Sequence, residues 1–268
     1  MLQYPNINPV ILHITETLQI RWYGVMYLVG FMLAWCVIRY RSKALPGWEQ
    51  RDKANDLIFY TAIGVILGGR IGYMLFYALP DWFASPSELF KIWQGGMSFH
   101  GGLIGVFIAT WVFCRHMKEP YWKVADIIAP GVPLALACGR LGNFINGELW
   151  GRITDVPWAM VFPHAGPWPR HPSQLYAILL EGFLLFIILW FYSAKPRKTG
   201  SIAGLFLLGY GCIRIFEEFF RQPDPQYGYL AFGWLTMGQV LCIPMIVFGL
   251  YMMICYGQSH KSCLHKLG

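Results

Sequence analysis

Long apolar stretches separated by short polar connections recur along the chain from about residue 20 to its end. Each stretch approaches the ~20 residues that a helix needs to cross the hydrocarbon core of a bilayer. Pro130 and Pro133 interrupt one of them, a break that helix bundles tolerate when neighbours satisfy the freed backbone groups. The pattern predicts about seven transmembrane helices, at Ile20–Ile38, Leu57–Leu79, Met97–Cys114, Val124–Arg140, Ser173–Ser193, Gly200–Phe220 and Met237–Tyr256.

Composition supports a membrane protein. Of the 268 residues, 56% are hydrophobic and 13% are charged, and the mean hydropathy is +0.43, which lies outside the usual soluble range. We therefore predict an all-α polytopic fold that forms a single integral membrane domain over residues 1–268. Residues 1–19 lack the basic region and apolar core of a cleavable signal peptide. The cysteines show no metal-ligand spacing, so we expect buried small side chains, with no metal and no other cofactor.

Basic residues concentrate in alternate connections, which sets the predicted orientation. Positive charges follow the first, third and fifth stretches and recur at the end of the chain. The positive-inside rule therefore predicts a periplasmic N-terminus and a cytoplasmic C-terminus. The net charge of +7 then indicates anchoring to a leaflet, and no nucleic-acid partner is expected. The residues concerned are Arg39, Arg41, Lys43, Arg51, Lys53, Arg115, Lys118, Lys123, Lys195, Arg197, Lys198, Lys261 and Lys266.

Arginines inside the apolar stretches are the feature that most needs an explanation. Arg70, Arg140, Arg214 and Arg221 all lie there, and an arginine at the bilayer centre costs about 2.5–3.5 kcal/mol on insertion scales. Such residues usually face a bundle interior or a water-filled cavity. The predicted topology puts all four in the outer halves of their helices. Several arginines at one depth, apparently without matching acids, indicate a site built to hold an anion.

The string GRLGNFINGELWG at Gly139–Gly151 is the most specific in the chain. Arg140 offers a planar guanidinium that binds phosphate through two parallel hydrogen bonds. Asn143 and Asn146 lie three residues apart and offer amide donors to glycerol or phosphate oxygens, and Glu148 is the nearby acid. So many glycines and amides favour a backbone that is buried in protein or lines a cavity. A polar loop leaving the membrane is the alternative.

A second polar stripe lies in the sixth stretch. Tyr210, Arg214, Glu218 and Arg221 recur at helical spacing and therefore share one face. An Arg214–Glu218 pair could be purely structural, because pairing lowers the penalty for burying both charges. Two arginines and a tyrosine at the depth of Arg140 fit anion binding better.

Two histidine motifs begin apolar stretches. His100 precedes a pair of glycines at the entrance of the third stretch, where it is either an interfacial residue or a base or phosphate donor. His171 begins the string HPSQLY, in which Pro172 and Ser173 also serve as ordinary helix-start residues. His171 is the lesser catalytic candidate of the two.

Together these strings resemble the prolipoprotein diacylglyceryl transferases of the bacterial inner membrane. The resemblance covers nearly the whole chain and is most specific around Arg140. The matching strings are Trp22–Gly24 with Met26 and Tyr27, Gly68–Tyr73, His100–Gly102, Gly139–Glu148, His171–Tyr176 and Phe219–Asp224.

The resemblance implies a seven-span enzyme that transfers the sn-1,2-diacylglyceryl group of phosphatidylglycerol to the lipobox cysteine of preprolipoproteins, with release of glycerol 1-phosphate. Its partners would be phosphatidylglycerol, the preprolipoprotein signal peptide and membrane lipid. We predict the catalytic residues to be His100, Tyr210, Arg214 and Tyr23. The predicted residues for binding phosphatidylglycerol are Arg140, Asn143, Asn146, Glu148, Gly151, Arg70, Glu218 and Arg221.

The chemical requirements of this reaction agree with the candidate residues. A thioether forms when a thiolate attacks the glyceryl carbon and displaces a phosphate oxygen, so the site needs a thiolate and stabilisation of the leaving phosphate. Arg140 and Arg214 would neutralise the phosphate, His100 would accept the thiol proton, and Tyr210 is the alternative proton-transfer group. No step requires a metal. A non-enzymatic transporter or receptor for an anionic lipid is the competing hypothesis, and it explains the outer position of the arginines less well.

Overall fold

The computed structural model describes residues 2–15, 19–43, 45, 47–48, 52–91, 95–223 and 228–254. Several residues used in the sequence predictions lie outside the described part of the chain, namely Arg51, Asp224, Cys255, Lys261, Cys263 and Lys266.

Helices dominate the described residues, as the apolar pattern predicts. A short two-stranded sheet, β1 (Val10–His13) with β2 (Gln19–Arg21), precedes them. The α-helices are α1 (Trp22–Ser42), α2 (Lys53–Phe76), α3 (Leu79–Ala84), α4 (Phe99–Met117), α5 (Tyr121–Ile128), α6 (Val132–Ile145), α7 (Ser173–Ala177), α8 (Leu185–Tyr192), α9 (Ser201–Glu217) and α10 (Met237–Ile254). A 3₁₀ segment spans Pro86–Phe90, between α3 and α4.

Within the described residues, 4 helices are long and apolar enough to cross a membrane, or up to 5 when α5 and α6 count as one broken span. The four are α1, α2, the continuous helix Ser173–Tyr192 and α10. This confirms a mostly helical, multi-pass membrane protein. Helices α4 and α9 occupy the third and sixth predicted stretches and are shorter or less apolar than these.

The fourth predicted stretch is broken where its prolines lie. Helix α5 ends at Ile128 and α6 begins at Val132, with Pro133 in its first turn, a position where the missing N–H leaves no helix hydrogen bond unmade. Helix α6 also continues past the predicted boundary at Arg140 and ends at Ile145. Arg140 and Asn143 therefore lie on one helix, about one turn apart.

The helix Ser173–Tyr192 is not uniform. Its central residues, Ile178–Leu184, form π-helical turns between α7 and α8. Such turns are rare and occur mostly as short insertions in α-helices, frequently at functional sites. Glu181 lies in this segment and is fully buried, at 0% exposure.

The chain forms two compact units. The first draws on Met1–Leu12, Ile20–Ala34 and Asp126–Gly268. In it, α6 packs against the π-helical segment, where a Cβ on Gly182 would lie 2.6 Å from that of Ala137. The Asp126 carboxylate caps the N-terminus of α9, because it accepts hydrogen bonds from the N–H groups of Gly200, Ile202 and Ala203. These contacts fix the helices that carry the polar residues of the candidate site.

The second unit comprises His13–Gln19 and Trp35–Ala125. Helices α2 and α4 approach closely through Gly64 and Gly68 on one side and Gly101 and Gly105 on the other, where any added Cβ would overlap backbone atoms. Small residues at a helix interface permit this approach and the van der Waals packing that drives association in lipid.

Candidate active site

A buried carboxylate on the π-helical segment organises the arginines of the first unit. Glu181 Oε2 accepts a hydrogen bond of 3.0 Å from Arg140 Nε, and Arg140 Nη2 forms an ion pair with the same oxygen, also at 3.0 Å. Its other oxygen, Oε1, lies 3.8 Å from Arg214 Nε. One carboxylate thus joins α6 to α9 through two guanidinium groups, with two nitrogens of Arg140 on one of its oxygens and Arg214 beside the other.

Arg214 has further acidic neighbours on its own helix. Its Nη2 pairs with Glu218, and its Nη1 lies 3.9 Å from Glu217 Oε2. The second oxygen of Glu218 accepts a hydrogen bond of 2.9 Å from the Thr236 hydroxyl. Tyr210, one turn before Arg214, interacts electrostatically with Glu181 and with both arginines. The expectation that the arginines lack matching acids is therefore wrong, because three glutamates compensate them.

A small cavity lies beside this cluster. Arg140 and, from a later part of the sequence, Arg214 and Arg221 contribute to its wall, and Glu217 is the acid that lines it with them. The full lining is Arg140, Leu149, Ser173, Gln174, Tyr176, Ala177, Arg214, Glu217 and Arg221. Three of the predicted site arginines thus share one cavity, and an anion within it would meet positive charge from more than one direction.

The amides of the most specific string form a second group in the same unit. Asn143 Nδ2 and Asn146 Nδ2 both donate to Glu148 Oε1, at 3.1 Å each. The Tyr23 hydroxyl lies within hydrogen-bond reach of Asn143, and its ring packs against Gly142. The carbonyl of Glu148 accepts a hydrogen bond of 2.6 Å from Gln174 Nε2, and Gln174 also lines the cavity. The set formed by Asn143, Asn146 and Glu148 is therefore linked to the arginine cavity through Gln174.

Gly151 allows three segments to meet beside the cavity. A Cβ at this position would lie 2.5 Å from His171 Cβ and 2.7 Å from the Phe220 carbonyl oxygen. The Gly151 N–H donates to the His171 carbonyl at 2.9 Å, and the neighbouring Arg152 N–H donates to Phe220 at 2.8 Å. The Arg152 guanidinium also donates to the carbonyls of Glu218 and Arg221. These contacts explain why a residue with a side chain does not fit at position 151. The proposed role of Gly151 in binding phosphatidylglycerol stays a prediction.

His171 lies behind the cavity wall. Its Nδ1 is 3.0 Å from the Tyr176 hydroxyl, which also accepts a hydrogen bond of 2.7 Å from Trp158 Nε1. Burial lowers the pKa of His171, so its imidazole is neutral near pH 7. Tyr176 lines the cavity, and His171 contacts it from the side. This histidine orients Tyr176 at the cavity surface.

Arg70 and His100 belong to the second unit. Arg70 is 5% exposed, and its guanidinium donates to the backbone carbonyls of Glu88, Leu89, Gly95 and Gly96. His100 is exposed in the first turn of α4, whose N-terminus is capped by the Ser98 hydroxyl accepting from the Gly101 N–H at 3.2 Å. Their predicted roles in binding and catalysis stay predictions.

Two acidic residues of the site were missed from the sequence. Glu181 is the only acid within the predicted fifth stretch, and a lone carboxyl in a transmembrane segment is a functional-site signal in its own right. Glu217 was overlooked because Glu218 beside it fitted the four-residue spacing from Arg214. The position of Glu181 in an apolar stretch therefore predicts a negatively charged partner for the buried arginines.

Comparison with known proteins identifies the family to which this chain belongs. A model of the prolipoprotein diacylglyceryl transferase family matches residues 9–255. The phosphatidylglycerol–prolipoprotein diacylglyceryl transferase of Legionella pneumophila (strain Lens) is 58% identical over 252 residues, which cover 94% of this chain and 98% of the relative. The protein of that name from Coxiella burnetii (strain RSA 331 / Henzerling II) is 57% identical over 249 residues, covering 93% and 95%. The resemblance of the motifs is confirmed, and the chain belongs to the prolipoprotein diacylglyceryl transferase family.

Proposed function

We propose that this protein transfers the sn-1,2-diacylglyceryl group of phosphatidylglycerol to the lipobox cysteine of preprolipoproteins, forming a thioether and releasing glycerol 1-phosphate. The names of its relatives support this activity over a transporter or receptor for an anionic lipid. The structural observation that carries it is the convergence of Arg140 and Arg214 on one carboxylate beside a cavity.

The two arginines stabilise the phosphate in this reaction. A phosphodiester that enters the cavity presents two anionic oxygens, which match the planar fork of a guanidinium. Negative charge grows on the phosphate as the carbon–oxygen bond breaks. Fixed positive groups in a low-dielectric site stabilise that charge without the reorganisation that water requires. Arg221 adds a third positive group to the cavity wall.

The remaining predicted residues act on the glyceryl groups and on the nucleophile. Asn143, Asn146 and Glu148 offer hydrogen-bond partners for the glycerol hydroxyls, and Tyr23 orients Asn143. A thiol with a pKa near 8.5 is mostly protonated at neutral pH, so transfer needs a proton acceptor. His100 is our candidate for this proton acceptor, with Tyr210 as the next residue to consider.

We also propose a bacterial inner-membrane location with seven spans, a periplasmic N-terminus and a cytoplasmic C-terminus, because the basic connections alternate as the positive-inside rule requires. Reporter fusions at the N-terminus and after Gly268 test the orientation. An alkaline phosphatase reporter should be active at the N-terminus and inactive at the C-terminus. Equal activity at both ends would contradict it.

The activity is tested with purified protein in phosphatidylglycerol vesicles and a synthetic lipobox peptide. Mass spectrometry should show the peptide gaining a diacylglyceryl group, with one glycerol phosphate released per modified peptide. A transporter or receptor would bind or move phosphatidylglycerol without releasing glycerol phosphate. A peptide with serine in place of cysteine is the matched control, because it lacks the nucleophilic sulfur.

A further inference from the structure

Two buried carboxyl groups of the candidate site contact each other. Glu181 is 0% exposed and Glu217 is 3% exposed, and the two carboxyl groups lie within hydrogen-bond reach of each other. Oε1 of each residue receives no hydrogen bond from any other group of the protein. An ionised carboxylate only accepts hydrogen bonds, so two carboxylates in contact have no proton to share. A single proton on the pair supplies a hydrogen bond between them, and it leaves fewer buried oxygens without a partner.

The charges around the cavity lead to the same conclusion. Arg140 and Arg214 pair with the three carboxyl groups of the cluster, which belong to Glu181, Glu217 and Glu218, and Arg221 lines the same cavity. With every group ionised, these charges cancel, and an entering phosphodiester would meet Glu217 on the wall as a second anion. Like charges repel strongly where water is excluded. One proton on the pair leaves the cluster with a net positive charge that suits an anionic lipid.

We propose that Glu217 carries this proton and donates it to the leaving phosphate oxygen. The proposal rests on the proposed transferase activity and adds a residue to it. Glu217 is the better placed of the two carboxyls, because it lines the cavity, whereas Glu181 is held by Arg140 at 3.0 Å. The nearest guanidinium nitrogen to Glu217 Oε2 is Arg214 Nη1, at 3.9 Å. Glu217 therefore reaches the cavity without a close ion pair of its own.

The step balances in atoms and charge. The cysteine sulfur forms a bond to the glyceryl carbon while the bond from that carbon to the phosphate oxygen breaks. The electron pair of the broken bond moves to the phosphate oxygen, and the proton of Glu217 follows it. Glu217 is left ionised and is reprotonated by the proton released from the cysteine thiol. Glu217 interacts with Glu181, Arg140 and Arg214, and it shares the cavity wall with Arg221 and Tyr176.

Glu217→Gln tests the proposal, because the amide is neutral and donates a hydrogen bond but cannot give up a proton. We expect single turnover with phosphatidylglycerol to fall about 10²-fold, in the range typical of general-acid loss, while the KM for the lipid changes less than about threefold. An analogue that carries p-nitrophenol instead of glycerol on the phosphate releases a weaker base, which needs less protonation. With this lipid the ratio of wild-type to variant rates should fall below about tenfold.

Asp155→Asn is the matched control, since it also removes one carboxylate from the first unit and Asp155 is exposed. It should leave both rates unchanged. Equal loss with both lipids, or full activity of Glu217→Gln, would overturn the proposal. The ratio between the two lipids is measured within one variant, so partial misfolding does not affect it.

Infrared spectroscopy of the reconstituted protein supplies a readout that does not depend on activity. The wild type at pH 7 should show the carbonyl band of a protonated carboxylic acid, and this band should be absent from Glu217→Gln and present in Asp155→Asn. A wild type without the band would contradict the shared proton even if transferase activity is intact. A wild type that shows the band but releases no glycerol phosphate would instead contradict the proposed function.

Discussion

Arg70 and Arg140 look alike in sequence and differ completely in their partners. Both follow a glycine within an apolar stretch and precede an apolar residue and another glycine. Arg70 donates to four backbone carbonyls, those of Glu88, Leu89, Gly95 and Gly96. Arg140 pairs with the Glu181 carboxylate and lines a cavity. The local sequence predicts a buried arginine in both places. The function of each arginine depends on which acceptor groups the rest of the fold places around its guanidinium.

The two kinds of partner have different consequences. Backbone carbonyls of a folded segment are held in place, so the donors of Arg70 are already committed to ordering the residues before α4. A carboxylate resembles a phosphate in charge and geometry, so Arg140 can share its donors between Glu181 and an entering anion. This contrast favours Arg70 as a residue that positions backbone and Arg140 as a residue that binds substrate.

The largest effect is expected at Arg140. Arg140→Ala removes the phosphate donor and leaves Glu181 with less counter-charge, so kcat/KM should fall about 10³-fold or more. Arg140→Lys keeps the charge but loses the planar fork, and we expect a fall of about 10²-fold. The matched control is Arg197→Lys, because Arg197 donates to the Tyr192 carbonyl and lies over the Tyr192 ring at an exposed site. Wild-type kcat/KM in Arg140→Lys would contradict the two-point contact.

His100→Gln should lower turnover about 10²-fold if His100 accepts the thiol proton. Single-turnover rates of the wild type and the variant are compared across pH, because a peptide that is already ionised at high pH no longer needs the acceptor. The deficit should therefore shrink as the pH rises. A ratio that stays constant with pH would mean that His100 binds or positions a substrate instead, and Tyr210→Phe would be the next variant to measure.

The positions of the helices can be predicted from the sequence, whereas the partners of the buried charges cannot. Apolar length alone locates α1, α2 and α10, and the break at Pro130 and Pro133 falls where proline chemistry puts it. Helix membership depends on neighbours along the chain, so a local pattern can predict it. The ion pair between Arg140 and Glu181 joins residues 41 positions apart and depends on helix register, which no local pattern encodes. The π-helical turns around Glu181 are likewise a product of packing against α6.

Arg70→Lys tests whether Arg70 holds the backbone in place or binds phosphatidylglycerol. Lysine cannot reach the four carbonyls that the guanidinium satisfies together, and hydrogen bonds from charged groups contribute about 1.5–3 kcal/mol each. We expect an apparent melting temperature about 4 °C lower or more, with the KM for phosphatidylglycerol within about threefold of the wild type. Limited proteolysis should become faster near Glu88. A KM raised tenfold at unchanged stability would restore the sequence-based prediction that Arg70 binds the lipid.

The smallest effect is expected at a charge cluster that has only structural partners. In the second unit, Glu119 accepts hydrogen bonds from Lys53 Nζ, from Lys123 Nζ at 3.1 Å and from Trp48 Nε1 at 3.1 Å. Burial tends to raise the pKa of Glu119, but the hydrogen bonds and charges of the two lysines outweigh it, so the pKa lies below the usual 4.5. A carboxyl whose pKa is lower in the folded protein stabilises it fully above the unfolded value and progressively less as the pH falls through the folded value.

Glu119→Gln should therefore melt below the wild type at neutral pH, and the difference should shrink as the pH falls below about 4.5, where the wild-type carboxylate begins to take up a proton. Turnover at pH 7 should stay within about twofold of the wild type, well short of the 10²-fold typical of acid–base loss, because Glu119 does not line the cavity. Melting is followed by intrinsic tryptophan fluorescence at several pH values, with Glu88→Gln as the control for a carboxylate paired with a single lysine, Lys91. A melting difference that does not depend on pH would mean that Glu119 stabilises this unit through packing rather than charge. A large loss of turnover at unchanged stability would show that compensated charge clusters outside the cavity also act on the reaction, which would break the distinction drawn between Arg70 and Arg140.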